Sequence, residues 1–313
     1  MPGVTTEPQR LMVLDTASMY FRAFFGVPEI KSGDGTNVNA VRGLLDFIAR
    51  LVGDYSPTHL VCAWDNDWRP QWRVDLLPTY KAHRVEYVVP GQRPDVEEVP
   101  DLLEVQIPII VEVLEALGIC ILGYDGYEAD DVIGTLATGA TMPVDIVTGD
   151  RDLFQLVDDD REVRVLYIAR GVGRHERVTN AVVREKYGVH AAQYADFATL
   201  RGDASDGLPG VAGVGDKTAA SLLQRFGDID GVLAGADDDE SGLGPGPRAK
   251  IKAARDYLAV APQVVAVARG LDLGTYDATL PRTPADHEAV VALSERWNLE
   301  SPLARVVDAL TTR

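Results

Sequence analysis

The feature that most constrains this chain is a series of short apolar runs, each separated by a helix-period segment and most followed by an acid. Leu11–Leu14, Leu60–Trp64, Ile119–Leu122, Val144–Val147 and Val163–Ile168 read as strands. The first three are continuously apolar, which suits a sheet covered on both faces. Between the first two runs, Val38, Val41, Leu45, Ile48 and Val52 recur every three or four residues, with Asn37 as the expected N-cap. Residues 102–117 form another helical pattern, closed by Gly118 and expected to kink at Pro108. Strands separated by helices predict an α/β fold with a mostly parallel central sheet flanked by helices and joined by right-handed crossovers.

With 313 residues, the chain exceeds what one growing core usually accommodates. Its character changes near residue 200. Gly210, Gly213 and Gly215 precede a helical pattern over 217–226, and no clear strand run follows. Two units are expected: an α/β unit over 1–200 and an all-α unit over 201–313. No run approaches the ~20 apolar residues of a membrane span, and the polar first ten residues contain no apolar signal core. A cytoplasmic, soluble protein is expected. Cys62 and Cys120, each within an apolar run, fit free thiols better than a disulfide framework or zinc site.

Acidic residues number 48 against 30 Lys plus Arg, a formal net charge of −18. Uniformly spread, that charge would disfavour nucleic-acid binding. The acids are not uniformly spread. Asp15, Asp65 and Asp150 each follow a strand, while Glu128, Asp130 and Asp131 open the helix after the third apolar run. The carboxyl ends of parallel strands share one rim, so four segments deliver acids to one place. Asp152 extends the Asp150 group, and Asp203 and Asp206 add a pair at the expected domain junction. Taken singly, each acid is as readily a helix cap or turn former. Together they would repel unless cations lay among them. Oxygen donors without a Cys/His cluster select a hard ion, Mg²⁺ or Mn²⁺, and two such ions suit phosphodiester hydrolysis.

These residues resemble the bacterial and phage 5′-nucleases of the flap endonuclease superfamily, which occur alone or as the N-terminal domain of polymerase I-type proteins. The resemblance spans roughly residues 11–273. It rests on the Leu11–Ser18 segment with Arg22, on Trp72-Arg73 followed by residues 78–84 (PTYKAHR), on residues 126–131 (GYEADD), on 148–156 (TGDRDLFQL) and on 202–211 (GDASDGLPGV). It implies a PIN-like fold with a helical arch over about 81–102 and a C-terminal helix–hairpin–helix over 208–227. It further implies that Asp15, Asp65, Glu128, Asp130, Asp131, Asp150, Asp152, Asp203 and Asp206 hold metals. By the same resemblance Lys81 and Arg84 face the scissile phosphate, and Tyr80 stacks near a terminal base. Arg22, Gly213, Gly215 and Lys217 would contact DNA, and carbonyls of Gly210 and Val214 would hold potassium.

The implied enzyme is a monomeric 5′-3′ exonuclease and flap endonuclease acting on DNA with a 5′ flap, nick or 5′ overhang, alongside replication and repair proteins. Trp64, Trp72 and Leu77 depart from the usual aromatics of the family, and the acid-containing Arg84–Pro100 segment is less basic than expected of an arch. A catalytically weak DNA-structure-binding relative and a PIN-type ribonuclease are the alternatives. The complete acid set argues against the first, and the C-terminal third against the second. A haloacid dehalogenase-type phosphatase would need an acid at Ala17.

Overall fold

The computed structural model describes residues 9–87 and 96–312. Its strands are β1 (Leu11–Asp15), β2 (His59–Trp64), β3 (Val85–Tyr87), β4 (Val96–Glu97), β5 (Cys120–Gly123), β6 (Val144–Thr148), β7 (Val163–Tyr167) and β8 (Glu176–Val178). Among the described residues, six of them form one sheet in the order β5-β2-β1-β6-β7-β8. All pairings in it are parallel except β7–β8. The sheet is therefore mostly parallel, as its apolar runs require. β8 was not anticipated: three residues of mixed polarity at an edge carry no periodic signal.

β1 lies at the centre, and all five of its residues are buried. Its side chains alternate between two cores, one on each face of the sheet. Leu11 and Val13 join Val132, Ile133 and Leu136 of the Ala129–Gly139 helix. Met12 and Leu14 join Leu44, Leu45 and Ile48 of the Asn39–Tyr55 helix. That helix starts two residues after the expected cap. Asn37 instead accepts a bond from the Ile30 amide, and the Asn39 side chain donates to the Phe24 and Val27 carbonyls.

The helix expected to bend at Pro108 is two helices, Asp101–Glu104 and Ile107–Leu117. Pro108 falls in the first turn of the second, where its missing N–H has no intrahelical acceptor to lose. The segment expected to be a helical arch differs as well. In its described parts, β3 and β4 pair antiparallel as a two-stranded ribbon following a short turn of helix at Ala82–Arg84. Residues 88–95 of that segment lie outside the described residues.

From Asn180 the described chain is helical. The two final helices, His287–Trp297 and Glu300–Thr312, do not extend a separate helical unit over 201–313. Trp297, Leu303, Val306 and Leu310 are buried in the same core as the Asn39–Tyr55 helix. The return of the chain to its first half depends on non-local apolar packing, which no local pattern announces. Among the described residues, no helix is long and apolar enough to cross a membrane.

The Glu300–Thr312 helix should therefore carry stability for the sheet unit. Leu303→Ala is expected to cost ~2–5 kcal/mol in urea unfolding, against a few tenths for the exposed Glu300→Ala. Equal, small losses would detach this helix from the core.

Candidate active site

The carboxyl ends of β1, β2 and β6 open onto a cleft of about 430 Å³. Asp15, Asp65, Glu128, Asp130, Asp150 and Asp203 line it together with Lys81 and Arg84. Parallel register puts the first acids side by side: Asp15 pairs with Ala63 of β2, two residues before Asp65, and Leu14 pairs with Val147 of β6.

Each acid is held by its local backbone. Asp15 caps the Thr16–Gly26 helix, accepting from the Ser18 amide at 3.1 Å and from the Thr148 hydroxyl at 2.7 Å. Asp65 accepts from the Ala129 amide at 2.8 Å, tying β2 to the start of the Ala129–Gly139 helix. Asp150 accepts from the Asp152 amide at 2.8 Å. So the capping role and the rim position coexist. Asp15 engages both oxygens, one with the Ser18 amide and one with the Thr148 hydroxyl, while Asp65 and Asp150 each accept one amide, and all three still line the cleft.

Gathered acids disfavour each other's ionisation. Burial, with Asp65 and Asp150 adding repulsion against the Thr148 bond, pushes Asp15 up to about 7. Burial and the charges of Asp15 and Asp150 carry Asp130 well above the usual carboxylate range. Burial likewise raises Asp65 and Asp206. Asp152, buried beneath the rim, is raised well above its ordinary value by burial and by Asp150, Asp206 and Asp203. Among the described residues, no three His, Cys, Asp or Glu side chains stand close enough together to enclose a metal ion unaided. The donor set nevertheless fits hard cations. It is all oxygen, its members repel, and Mg²⁺ characteristically keeps several waters in place of protein ligands.

Two expected metal acids are placed otherwise. Asp131 is fully buried, bound by both guanidinium nitrogens of Arg73 at 2.8 Å and by the Ala268 amide at 2.7 Å. Its Oδ2 also receives the Glu128 amide at 3.2 Å. Every direction in which it could ligate is taken, so Asp131 is a structural acid. Glu128 touches the cleft, yet Lys81, Arg73 and the Tyr80 hydroxyl all bind its carboxylate. Burial alone would raise Glu128; Lys81 and Arg73 overcome it and hold the group below its ordinary value. Burial opposes the charge on Lys81, and Glu128 outweighs it, raising the lysine well above its usual range.

Tyr80 also differs from the expectation of a stacking ring. It is buried among Ala198, Leu208, Val264 and Val265, and its hydroxyl donates to Glu128 at 2.7 Å. Arg84 binds Asp206 at 2.9 Å and the Ser205 carbonyl at 2.7 Å, while the Lys81 amide donates to the Asp206 carbonyl at 3.0 Å. The Lys81–Arg84 turn is thus docked on the Asp203–Asp206 turn. Asp203 is paired with Arg201 at 3.3 Å. Arg22 does not line the cleft and donates to the Ala169 carbonyl at 3.0 Å.

The glycine-rich turn stands where the helix Tyr194–Arg201 is linked, through Asp203–Asp206, to the helix Asp216–Phe226. The first helix of a helix–hairpin–helix thus precedes residue 208. Gly210 and Gly213 adopt φ of +67° and +71°, which only glycine takes without strain, and the Gly213, Gly215 and Lys217 positions are exposed. Val214 is buried.

Sequence reasoning missed three residues at the site. Glu97 of β4 lines the cleft and is raised, first by burial and then by Asp65. Arg151, between two expected ligands, lines it as well. Arg73 is 1% exposed and neutralises Glu128 and Asp131. An arginine normally reads as surface; the 55-residue separation from Glu128 hides its partner.

The fold and the cleft define a class: a resolvase-like nuclease fold whose acid-rimmed cleft is also lined by Lys81 and Arg84. The description "5′-3′ exonuclease, N-terminal resolvase-like domain" matches residues 10–188, and "5′-3′ exonuclease, C-terminal SAM fold" matches 189–288. A 5′-3′ exonuclease of Streptomyces coelicolor is 59% identical over 96% of this chain and 100% of its own length. One of Mycobacterium tuberculosis is 50% identical over 96% and 98%. The bacteriophage T5 D15 flap endonuclease, solved as a pseudo-enzyme–product complex with DNA and metal ions, shares the fold. Its TM-score is 0.62, at 19% identity over 96% of this chain and 99% of that one. The chain belongs to the 5′-3′ exonuclease family.

Asp15 generates a pH prediction. Its carboxyl is raised in the folded state from 3.8 to about 7, so folding favours the protonated form. Its stabilising contribution is full below about pH 4 and is lost as pH rises through 7. In metal-free buffer, the melting temperature of Asp15→Asn relative to the parent should rise steadily between pH 4 and 7. A constant offset would show that Asp15 ionises freely in the fold.

Proposed function

We propose that this chain is a structure-selective 5′ nuclease that hydrolyses DNA phosphodiesters at 5′ flaps, nicks and 5′ overhangs with two or more Mg²⁺ or Mn²⁺ ions. The observation that carries the reading is the cleft itself, where mutually repelling acids from separate segments are gathered with Lys81 and Arg84. In this reading Asp15, Asp65, Asp130, Asp150 and Asp203 hold the ions directly or through water, with Glu128, Asp152 and Asp206 behind them. When bound, such ions supply Lewis acidity that activates a water and stabilises the leaving oxygen.

The chain's own residues do the rest. Asp15 and Asp65, fixed by backbone amides, present oxygens without reorganising. Lys81 and Arg84 stand across the cleft, where charge builds on the phosphate oxygens. The Lys81 backbone is left-handed, with φ of +48°, and its amide is tied to Asp206, which holds the lysine at the mouth. The exposed Gly213–Gly215 turn and Lys217 would meet a duplex backbone, with amides of the following helix aimed at a phosphate. Potassium on the carbonyls of Gly210 and Val214 belongs to the same proposal, as do the monomeric state and residues 201–286 as the duplex-gripping unit.

A 5′-labelled flap with Mg²⁺ or with EDTA tests the whole reading: cleavage is expected in the first and none in the second. Asp150→Asn should abolish turnover while flap affinity in Ca²⁺ stays within a few-fold; substantial Mg²⁺-dependent cleavage by this variant would remove Asp150 from the metal set.

Lys81→Ala should slow single-turnover cleavage by ~100-fold or more, as expected on losing a preorganised cation at developing charge. A loss confined to affinity would make Lys81 an anchor. For Lys217→Ala, the slope of log affinity against log salt should flatten by about one on a long downstream duplex. An unchanged slope would place Lys217 off the DNA.

A further inference from the structure

We propose that Arg73 is a positioning residue for the reaction: its guanidinium holds Asp131 and one oxygen of Glu128, so that Lys81, bound to the other Glu128 oxygen, still lines the cleft and is not drawn wholly into their buried charge. The inference rests on the nuclease reading above and deepens it. Arg73 sits on the Gln71–Leu76 helix and spends all its donors inward. Its Nη1 and Nη2 each reach an Asp131 oxygen at 2.8 Å, and Nη1 also binds Glu128. Nε donates to the Val264 carbonyl at 3.0 Å and Nη2 to Ala266 at 3.4 Å. The Trp72 ring covers the guanidinium at 4.5 Å.

One cation thus joins the start of the Ala129–Gly139 helix to the end of the Arg255–Val265 helix.

The division of Glu128 matters most. Arg73 and Tyr80 take Oε2, leaving Oε1 to Lys81. Asp131 and Glu128 are both buried, 0% and 3% exposed, so two negative charges there need more than one cation. With the Arg73 fork in place, Lys81 is shared between Glu128 and the cleft it lines. Without the fork, Lys81 is the nearest remaining cation and must neutralise a deficit of buried charge. Its Nζ then turns inward, away from a phosphate. A lysine at position 73 keeps one charge but cannot grip two carboxylates at once.

The test uses Arg73→Lys in the full chain, with Tyr80→Phe as a second variant that removes another Glu128 donor and leaves the ring. In metal-free buffer, acetic anhydride labelling of Lys81, read by mass spectrometry, should slow by about 3-fold or more in both variants, while Lys217 and Lys250 label as before. Single-turnover flap cleavage by Arg73→Lys should fall by about 10-fold or more with flap affinity within about 3-fold. In a Lys81→Ala background the same change should cost less than about 3-fold, because both substitutions act through one lysine. Unchanged Lys81 labelling in a folded variant, or fully multiplicative losses in the double variant, would overturn the proposal. Failure of the parent protein to cleave any flap would instead sink the nuclease reading, and labelling would still report on Arg73.

Discussion

Like charges crowded into partial burial are the constraint around which this structure is arranged. Asp15, Asp130 and Asp150 repel one another at the carboxyl rim of the sheet, and burial disfavours the ionisation of Asp15 and Asp130. Two devices contain that repulsion. Backbone amides and the Thr148 hydroxyl fix the acids without neutralising them. Arg73 and Lys81, by contrast, neutralise Glu128 and Asp131. The rim is therefore split into a half that Arg73 and Lys81 compensate and a half that they do not, and the proposed ions are assigned to the second.

The same division explains how a chain of net charge −18 can approach a polyanion. The excess charge on this rim is the kind that divalent ions cancel, and Lys81 and Arg84 line the same cleft. In the proposed reading, the exposed glycine turn at 213–215 would meet phosphate through backbone amides, an interaction that does not depend on net charge. The Lys81–Arg84 turn is tied to Asp206 and Ser205, so the cationic wall and the start of the helical region are mechanically one piece. Arg73 provides a second tie, from the acid rim to the Val264 and Ala266 carbonyls.

The legibility of individual residues followed how local their determinants are. Asp15, Asp65 and Asp150 were readable because a strand end is marked by the chain itself. Asp131 was misread: spacing gives it the same credentials as Asp130, and only the arrival of Arg73 from 58 residues away shows that its oxygens are occupied. Tyr80 was misread for the same reason, since its burial is supplied by Ala198, Leu208, Val264 and Val265. Glu97 looked like a surface acid because its place in the cleft depends on the β3–β4 ribbon.

By itself, the sequence determined the mostly parallel sheet, the rim position of the acids and the glycine turn. Period-two and period-3.6 patterns and positive-φ glycines are written in neighbouring residues. The tertiary structure alone decided which acids are free and which are spent. It also decided that the last helices return to the first core and that Lys81 is shared between Glu128 and the cleft. Those outcomes depend on burial and on partners distant in sequence, because a charge's state is set by what surrounds it in space.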